Sequence, residues 1–161
     1  MLDENYQVVS LSPESLRADV DLMSRTAATP GGVSGLLNTS RELYVGSWFH
    51  YEQFVVAATW SLLAVETAIR ARLGVDTRPP FRRIIRRAFT EGLIDEAVMR
   101  HVDIGAQLRN GLLHPEFQSA WTPSMSRTTV GQSHLAISGL FPDNSGCAAE
   151  PSTSTAVQPG G

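Results

Sequence analysis

Between Arg41 and Leu73 the chain has no proline, and the run FVVAATWSLLAVETAIRARLG within it is apolar around most of a helical circumference. A helix with one apolar stripe lies on the surface of a core, whereas one that is apolar on most sides must be covered on more than one. The pattern therefore predicts a long central helix over about 41–73, at the middle of a bundle or in a dimer interface. Arg70 and Arg72 in its last turn and Gly74 just beyond it are stop signals. Glu66 stands four residues before Arg70, on the same face. Two readings of Glu66 follow: an ion pair with Arg70, or a carboxylate that orients a catalytic group supplied from elsewhere. Thr59, Ser61, Glu66 and Thr67 interrupt the stretch from Phe54 to Ile69, which reads as too short and too polar to span a bilayer.

The remaining segments also read as helical. Ser12-Pro13-Glu14 is a helix start, with a serine cap and proline at the first helical position. Leu16, Val20, Met23 and Ala27 follow at helical spacing, and Thr29-Pro30-Gly31-Gly32 reads as the stop. This first helix either packs on the core or swings as an arm. Asn38, Thr39 or Ser40 can cap the central helix, and Gly46 marks a kink near its start. In Phe81-Arg82-Arg83-Ile84-Ile85-Arg86-Arg87-Ala88-Phe89, Phe81, Ile84, Ile85 and Ala88 share one helical face. Arg82, Arg83, Arg86 and Arg87 share the other. Asp95 can cap a further helix that runs to Leu108. Phe117 and Trp121 read as anchors for a loop, and Thr122-Pro123 opens a last helix reaching Leu140-Phe141. From Pro142 the chain is Gly, Ser, Thr, Pro and Ala with little to bury, which predicts a disordered tail over 142–161. No alternating strand pattern and no internal repeat occur. The expected fold is all-α: a bundle of about four to five helices around the helix at 41–73. The organisation is an N-terminal arm with one helix at 1–38, a bundle at 39–141 and the tail.

Charge and cysteine usage exclude some classes of function. The net charge of −3 over 161 residues gives no bulk attraction to nucleic acid, and every basic residue is Arg. The charge is uneven: five acids and two arginines in 1–38, against ten arginines and nine acids in 39–117. A single cysteine, Cys147, excludes an intramolecular disulfide and any cysteine-based zinc site. The acidic start MLDENYQ has no apolar run behind it and does not read as a signal peptide. These features predict a soluble, cytoplasmic protein with no membrane association. There is no phosphate-binding glycine loop, zinc signature or nucleophile elbow. His50 and His134 lack polar neighbours in the sequence and read as packing or surface residues. His101, Asp103 and His114 have no diagnostic metal spacing, so no metal and no cofactor is expected.

Strongly polar side chains enter an apolar, helix-patterned segment at Leu108-Arg109-Asn110-Gly111-Leu112-Leu113-His114-Pro115. Five residues turn an ideal helix through about 500°, so Arg109 and His114 would point about 140° apart. Gly111 weakens the helix, and Pro115 biases His114 away from helical angles. The expected arrangement is a helix carrying Arg109 and Asn110 in its last turn, then a bend that presents His114. A bland reading stands beside it: Arg109 braces a helix end, Asn110 caps and His114-Pro115 turns the chain.

LRNGLLHP resembles the Arg-x4-His motif of the HEPN superfamily (higher eukaryotes and prokaryotes nucleotide-binding), in which the residue after the Arg is often polar, as Asn110 is. The resemblance extends to the helical order: a long helix with Leu62, Glu66 and Arg70 at four-residue spacing, a short basic helix, a Gly-Leu-Ile turn at 92–94, and a helix that delivers the motif. It covers roughly Arg41 to Phe117. It implies a helical bundle that often dimerises through the motif-bearing face. It also implies a metal-independent endoribonuclease of the kind found in toxin–antitoxin and phage-defence systems, with Arg109, His114 and Asn110 catalytic. Residue chemistry agrees: RNA carries its own nucleophile in the 2′-OH, a histidine moves protons near neutral pH, and an arginine stabilises phosphate charge. The partners implied are RNA, a second copy of the chain and an antitoxin or other protein. Arg82, Arg83, Arg86 and Arg87 would then hold RNA, although the same face also fits a solvated basic surface that meets Asp95, Glu96 or the N-terminal segment. Two other readings remain: a non-catalytic helical module that binds a protein or nucleotide, and an antitoxin or adaptor acting through its acidic arm and tail.

Overall fold

A computed structural model describes residues 11–111 and 121–143, with the side chains of 106–111 excepted. It is all-helical among these residues, and a helical bundle as the sequence implies. The elements are α1 (Pro13–Asp21), α2 (Gly31–Gly46), α3 (Gln53–Leu73), α4 (Phe81–Thr90), α5 (Glu96–Gly111) and α6 (Pro123–Leu140). The tail expected at 142–161 lies outside the described residues beyond Asp143, as does the anchor Phe117.

The helix expected over 41–73 is two helices. α2 ends at Gly46, a turn occupies Ser47 to Glu52, and α3 starts at Gln53. Backbone bonds close the turn, from Phe49 N to Gly46 O and from Gln53 N to His50 O. Reversal lets α2 lie along α3, which covers two apolar faces at once; a straight helix would leave both to other partners. α3 then feeds both halves of the core. Phe54, Val55, Ala57 and Ala58 pack with Leu16, Val20, Tyr44, Trp121 and Val130. Ala64, Val65, Ala68 and Ile69 pack with Val33, Leu37, Ile84, Ile85, Val102 and Ile137. Its buried alanines leave room for helices to approach on several sides, which accounts for the apolar circumference. α3 has 21 residues, and an 18-residue window of it has a mean hydropathy of 1.4, so by length and composition it could cross a membrane, contrary to the short span read from 54–69. Half of that window is buried inside the bundle.

The boundary of α2 also moves. Pro30-Gly31-Gly32, read as a stop, opens α2: Pro30 is the cap, and its carbonyl accepts from Ser34 N at 2.9 Å. Burial of Val33 and Leu37 on one face outweighs the weak helix preference of the glycines. Residue 38, taken as the end of an arm, therefore lies inside a core helix. α1 stops at Asp21, short of Met23 and Ala27. It is packed rather than free. Leu16 and Val20 are core residues, Tyr44 donates to Asp19 at 2.9 Å, and Asp19 pairs with Arg127 at 2.8 Å. Burial, then the Asp19 charge, push the Tyr44 phenol well above its ordinary value, so it stays a donor.

The local signals for the ends hold. Ser12 and Ser15 form a reciprocal capping box, Asp95 Oδ1 accepts from Val98 N, and Thr122 caps α6 through Met125 N. Gly74 closes α3 at φ 63°, a left-handed conformation that a side chain would resist.

Candidate functional site

α4 presents the two faces read from its pattern. Ile84, Ile85 and Ala88 are buried, and Arg82, Arg83, Arg86 and Arg87 are exposed. Two of the acids that could have met this face, Asp95 and Glu96, are engaged elsewhere. Asp95 caps α5, and Glu96 reaches Arg100 at 3.4 Å. Arg87 pairs with Glu91 at 2.6 Å, while Arg82, Arg83 and Arg86 have no ion pair among the described residues. The last three border a shallow depression of about 330 Å³ beside Pro80. Such a cluster repels itself until an anion or solvent screens it.

Arg109 and Asn110 fall in the last turn of α5. Their side chains lie outside the described residues, and His114 does so entirely. The backbone of α5 is described up to Gly111. Gly105 is one helical turn before Arg109, on the same face. There α5 approaches α3 so closely that a Cβ on Gly105 would stand 2.8 Å from Leu62 Cδ1 and 3.0 Å from its Cγ. Leu62, Glu66, Phe81, Val102 and Gly105 surround a small cavity of about 80 Å³ at this seam. The first residue of the basic helix thus meets the α3–α5 junction one turn from Arg109.

Glu66 forms the pair expected of it. Its Oε1 lies 2.8 Å from Arg70 Nη2 and 3.2 Å from Nε. Arg70 Nη1 also donates to the carbonyl of Asp76 at 2.7 Å, tying the end of α3 to the loop that leads into α4. Glu66 borders the seam cavity as well, so its two sequence readings share one location.

His101 is half-buried. Its Nε2 lies 3.1 Å from Ser133 Oγ, and that hydroxyl reaches Thr129 O at 2.8 Å. Ser133 carries one proton and has both Thr129 O and Ser61 Oγ within reach, so it serves one at a time, and the role of His101 Nε2 follows its tautomer. Ser61 Oγ, 3.1 Å from Ser133, extends this polar line across α5, α6 and α3. Burial holds the His101 ring below its ordinary pKa. Among the described residues no group of three or more His, Cys, Asp or Glu could hold a metal ion. His50 is exposed in the α2–α3 turn, and His134 is buried in α6.

One polar residue escaped sequence reasoning: Arg41, a core residue with an unmatched polar atom, as is His134, which the sequence left between packing and surface. A signal existed for Arg41, since Val33, Leu37, Arg41 and Tyr44 recur along one helical face and put an arginine in a buried row. Reading α2 as starting after Asn38 hid that row. For His134 the packing reading holds: Val130, His134 and Ile137 recur on one buried face of α6, and its Nδ1 lies 3.0 Å from Ser24 O.

Against known proteins, no family model matches the chain, and neither a curated protein nor a solved structure matches it.

Proposed function

We propose that the protein is a metal-independent endoribonuclease of HEPN type, working as a homodimer, with Arg109, Asn110 and His114 at its centre. The observation that carries the reading is the seam at Gly105. Phe81 at the start of the arginine-rich helix, Glu66 and Gly105 border one cavity, and Gly105 precedes Arg109 by one helical turn in the sequence of α5. Arg82, Arg83 and Arg86, without carboxylate partners among the described residues, supply phosphate attraction along that approach. Val56, Trp60 and Leu63 recur at helical spacing on α3 and are partly exposed, as is Ile104 on α5. This row is the surface we assign to a second copy, and a dimer would hold two Arg–His sets, which a site so sparse in catalytic groups requires. In the reaction the 2′-oxygen attacks phosphorus after His114 of one set accepts its proton. The bond to the 5′-oxygen breaks, that oxygen takes up a proton from the protonated His114 of the other set, and a 2′,3′-cyclic phosphate and a 5′-OH remain. Arg109 holds the charge that grows on the phosphate, and Asn110 orients it. A toxin or phage-defence role in the cytoplasm, opposed by a protein antitoxin, goes with this activity.

The test is cleavage of labelled single-stranded RNA in chelator by protein verified as a dimer. Arg109→Ala and His114→Ala should each abolish cutting with the helical content unchanged. A wild-type dimer that cuts no RNA sinks the proposal. A non-catalytic binding module is the second reading. Trp48, Phe49 and Tyr51 stand exposed on the α2–α3 turn and could stack bases or grip a protein partner. RNA that binds without being cut would favour this second reading.

A further inference from the structure

Arg41 of α2 is only 4% exposed. One arm of its guanidinium is used, Nη2 donating to the Val20 carbonyl at 2.8 Å. The other arm, Nη1, is buried with no hydrogen-bond partner. No carboxylate stands within ion-pair distance of Arg41 among the described residues. A buried guanidinium is costly unless an opposite charge and full hydrogen bonding compensate it. This one has neither in full.

A complementary defect belongs to a second residue of the same cavity wall. His134 of α6 is 1% exposed, and its Nδ1 lies 3.0 Å from Ser24 O. The carbonyl accepts, so Nδ1 carries the proton and Nε2 of the neutral ring is an acceptor. Burial is the main force keeping the ring neutral, with the Arg25 charge adding to it and the Ser24 bond opposing. Nε2 is also buried and unmatched. Arg41 and His134 line one cavity of about 180 Å³, together with Arg25 and the hydroxyl residues Thr26, Thr29 and Ser34. No acid lines it. A wider cleft of about 570 Å³ shares Arg25, Asn38 and Arg41 with it and adds Arg17, with Asp21 and Glu42 at its wall.

Water can satisfy an orphan donor and an orphan acceptor, but it brings no counter-charge to Arg41. A carboxylate brings charge and has nothing to donate to Nε2. A phosphate monoester brings both, because its second proton is lost only near neutral pH, leaving anionic oxygens and one O–H on the same group. An internal phosphodiester of RNA lacks that O–H, which separates this cavity from the proposed cleavage site. We propose that the cavity between α2, α6 and the loop before α2 binds the terminal phosphate of a small phosphate monoester, or inorganic phosphate itself. Arg41 Nη1 donates to one oxygen, the phosphate O–H faces His134 Nε2, and the wider cleft receives the organic part. Arg25 contributes charge from the exposed rim.

Calorimetry on the full chain at neutral pH and fixed ionic strength tests this with inorganic phosphate and methyl phosphate, against acetate and dimethyl phosphate. Phosphate and methyl phosphate should each bind saturably with one site per chain, and the two comparators should not. The tighter of the two binders identifies the source of the ligand. Arg41→Gln should weaken binding about tenfold or more, the scale of one charge-assisted bond. Arg25→Gln, at an exposed position, should weaken it less and still fold. The ring nitrogen signals of His134 should shift as phosphate is added, which a distant surface site would not cause. No saturable phosphate binding at millimolar concentration overturns the proposal. So does binding that leaves the His134 signals unmoved, or binding unchanged in a folded Arg41→Gln or in Arg25→Gln.

Discussion

Replacing Gly105 with alanine tests the seam on which the placement of the Arg109 turn depends. In an ordinary helix interior Gly→Ala stabilises by about 1 kcal/mol, because alanine loses less backbone freedom on folding. At Gly105 the new methyl would stand 2.8 Å from Leu62 Cδ1, 3.0 Å from Cγ and nearer still to Cδ2. Overpacking of this kind costs about 1–3 kcal/mol. Leu62 is only part-buried and borders a cavity of about 80 Å³, so it has somewhere to turn. That places the cost at the lower end of the range, about 1–2 kcal/mol, and leaves a net destabilisation of about 0–1 kcal/mol. Leu62→Ala removes the obstructing atoms. In that background Gly105→Ala should stabilise, and the double-mutant cycle should show a coupling of about 1–2 kcal/mol. Urea unfolding of the four proteins, followed by far-UV circular dichroism, reads all three values. A Gly105→Ala variant stabilised by the full helix-propensity amount, with no coupling to Leu62, would refute the close approach of α5 to α3. The argument for where Arg109 lies would fall with it.

Two further predictions concern charge. Arg82→Gln with Arg86→Gln should leave the fold intact and flatten the salt dependence of RNA binding, by about 0.7 in log–log slope for each single-strand phosphate that is no longer neutralised. An unchanged slope would remove α4 from the RNA path. His101 and His134 are both held below the ordinary histidine value of 6.5. Just below that pH the unfolded chain therefore binds more protons than the folded one. Stability should be fully present above the ordinary value and decline as pH falls through it, until the folded rings themselves titrate. Urea midpoints taken on both sides of that value measure this; a midpoint that rises on acidification through the window contradicts the neutral, buried assignment of both rings.

Much of the fold is legible from local pattern. The amphipathic face of α4, the serine cap of α1, the Thr122-Pro123 start of α6 and the Glu66–Arg70 pair each depend on residues within one or two turns. Helical periodicity and capping act over that range, so a sequence displays them directly. The misread elements fail for the opposite reason. Gly31-Gly32 has weak helix propensity, and only the burial of Val33 and Leu37 against distant partners makes it helical. The turn at Ser47 to Glu52 contains no proline, and it forms because reversing the chain covers α2 and α3 with each other.

The candidate site divides in the same way. LRNGLLHP and the arginine face of α4 were visible as residue types at fixed spacings, because such motifs are local. The convergence of Phe81, Glu66 and Gly105 was not, since it joins three helices through side chains far apart in sequence. By itself, then, the sequence determined an all-helical chain, most helix ends, a basic face and an Arg-x4-His spacing. Only the tertiary structure decided that the first helix is docked, that the proline-free stretch over 41–73 is two helices joined by a reversal, and that Arg41 and His134, each with an unmatched polar atom, line one cavity. Local pattern specifies which face of a helix is apolar, and the packing of one helix on another decides what that face meets and which polar groups are enclosed with it.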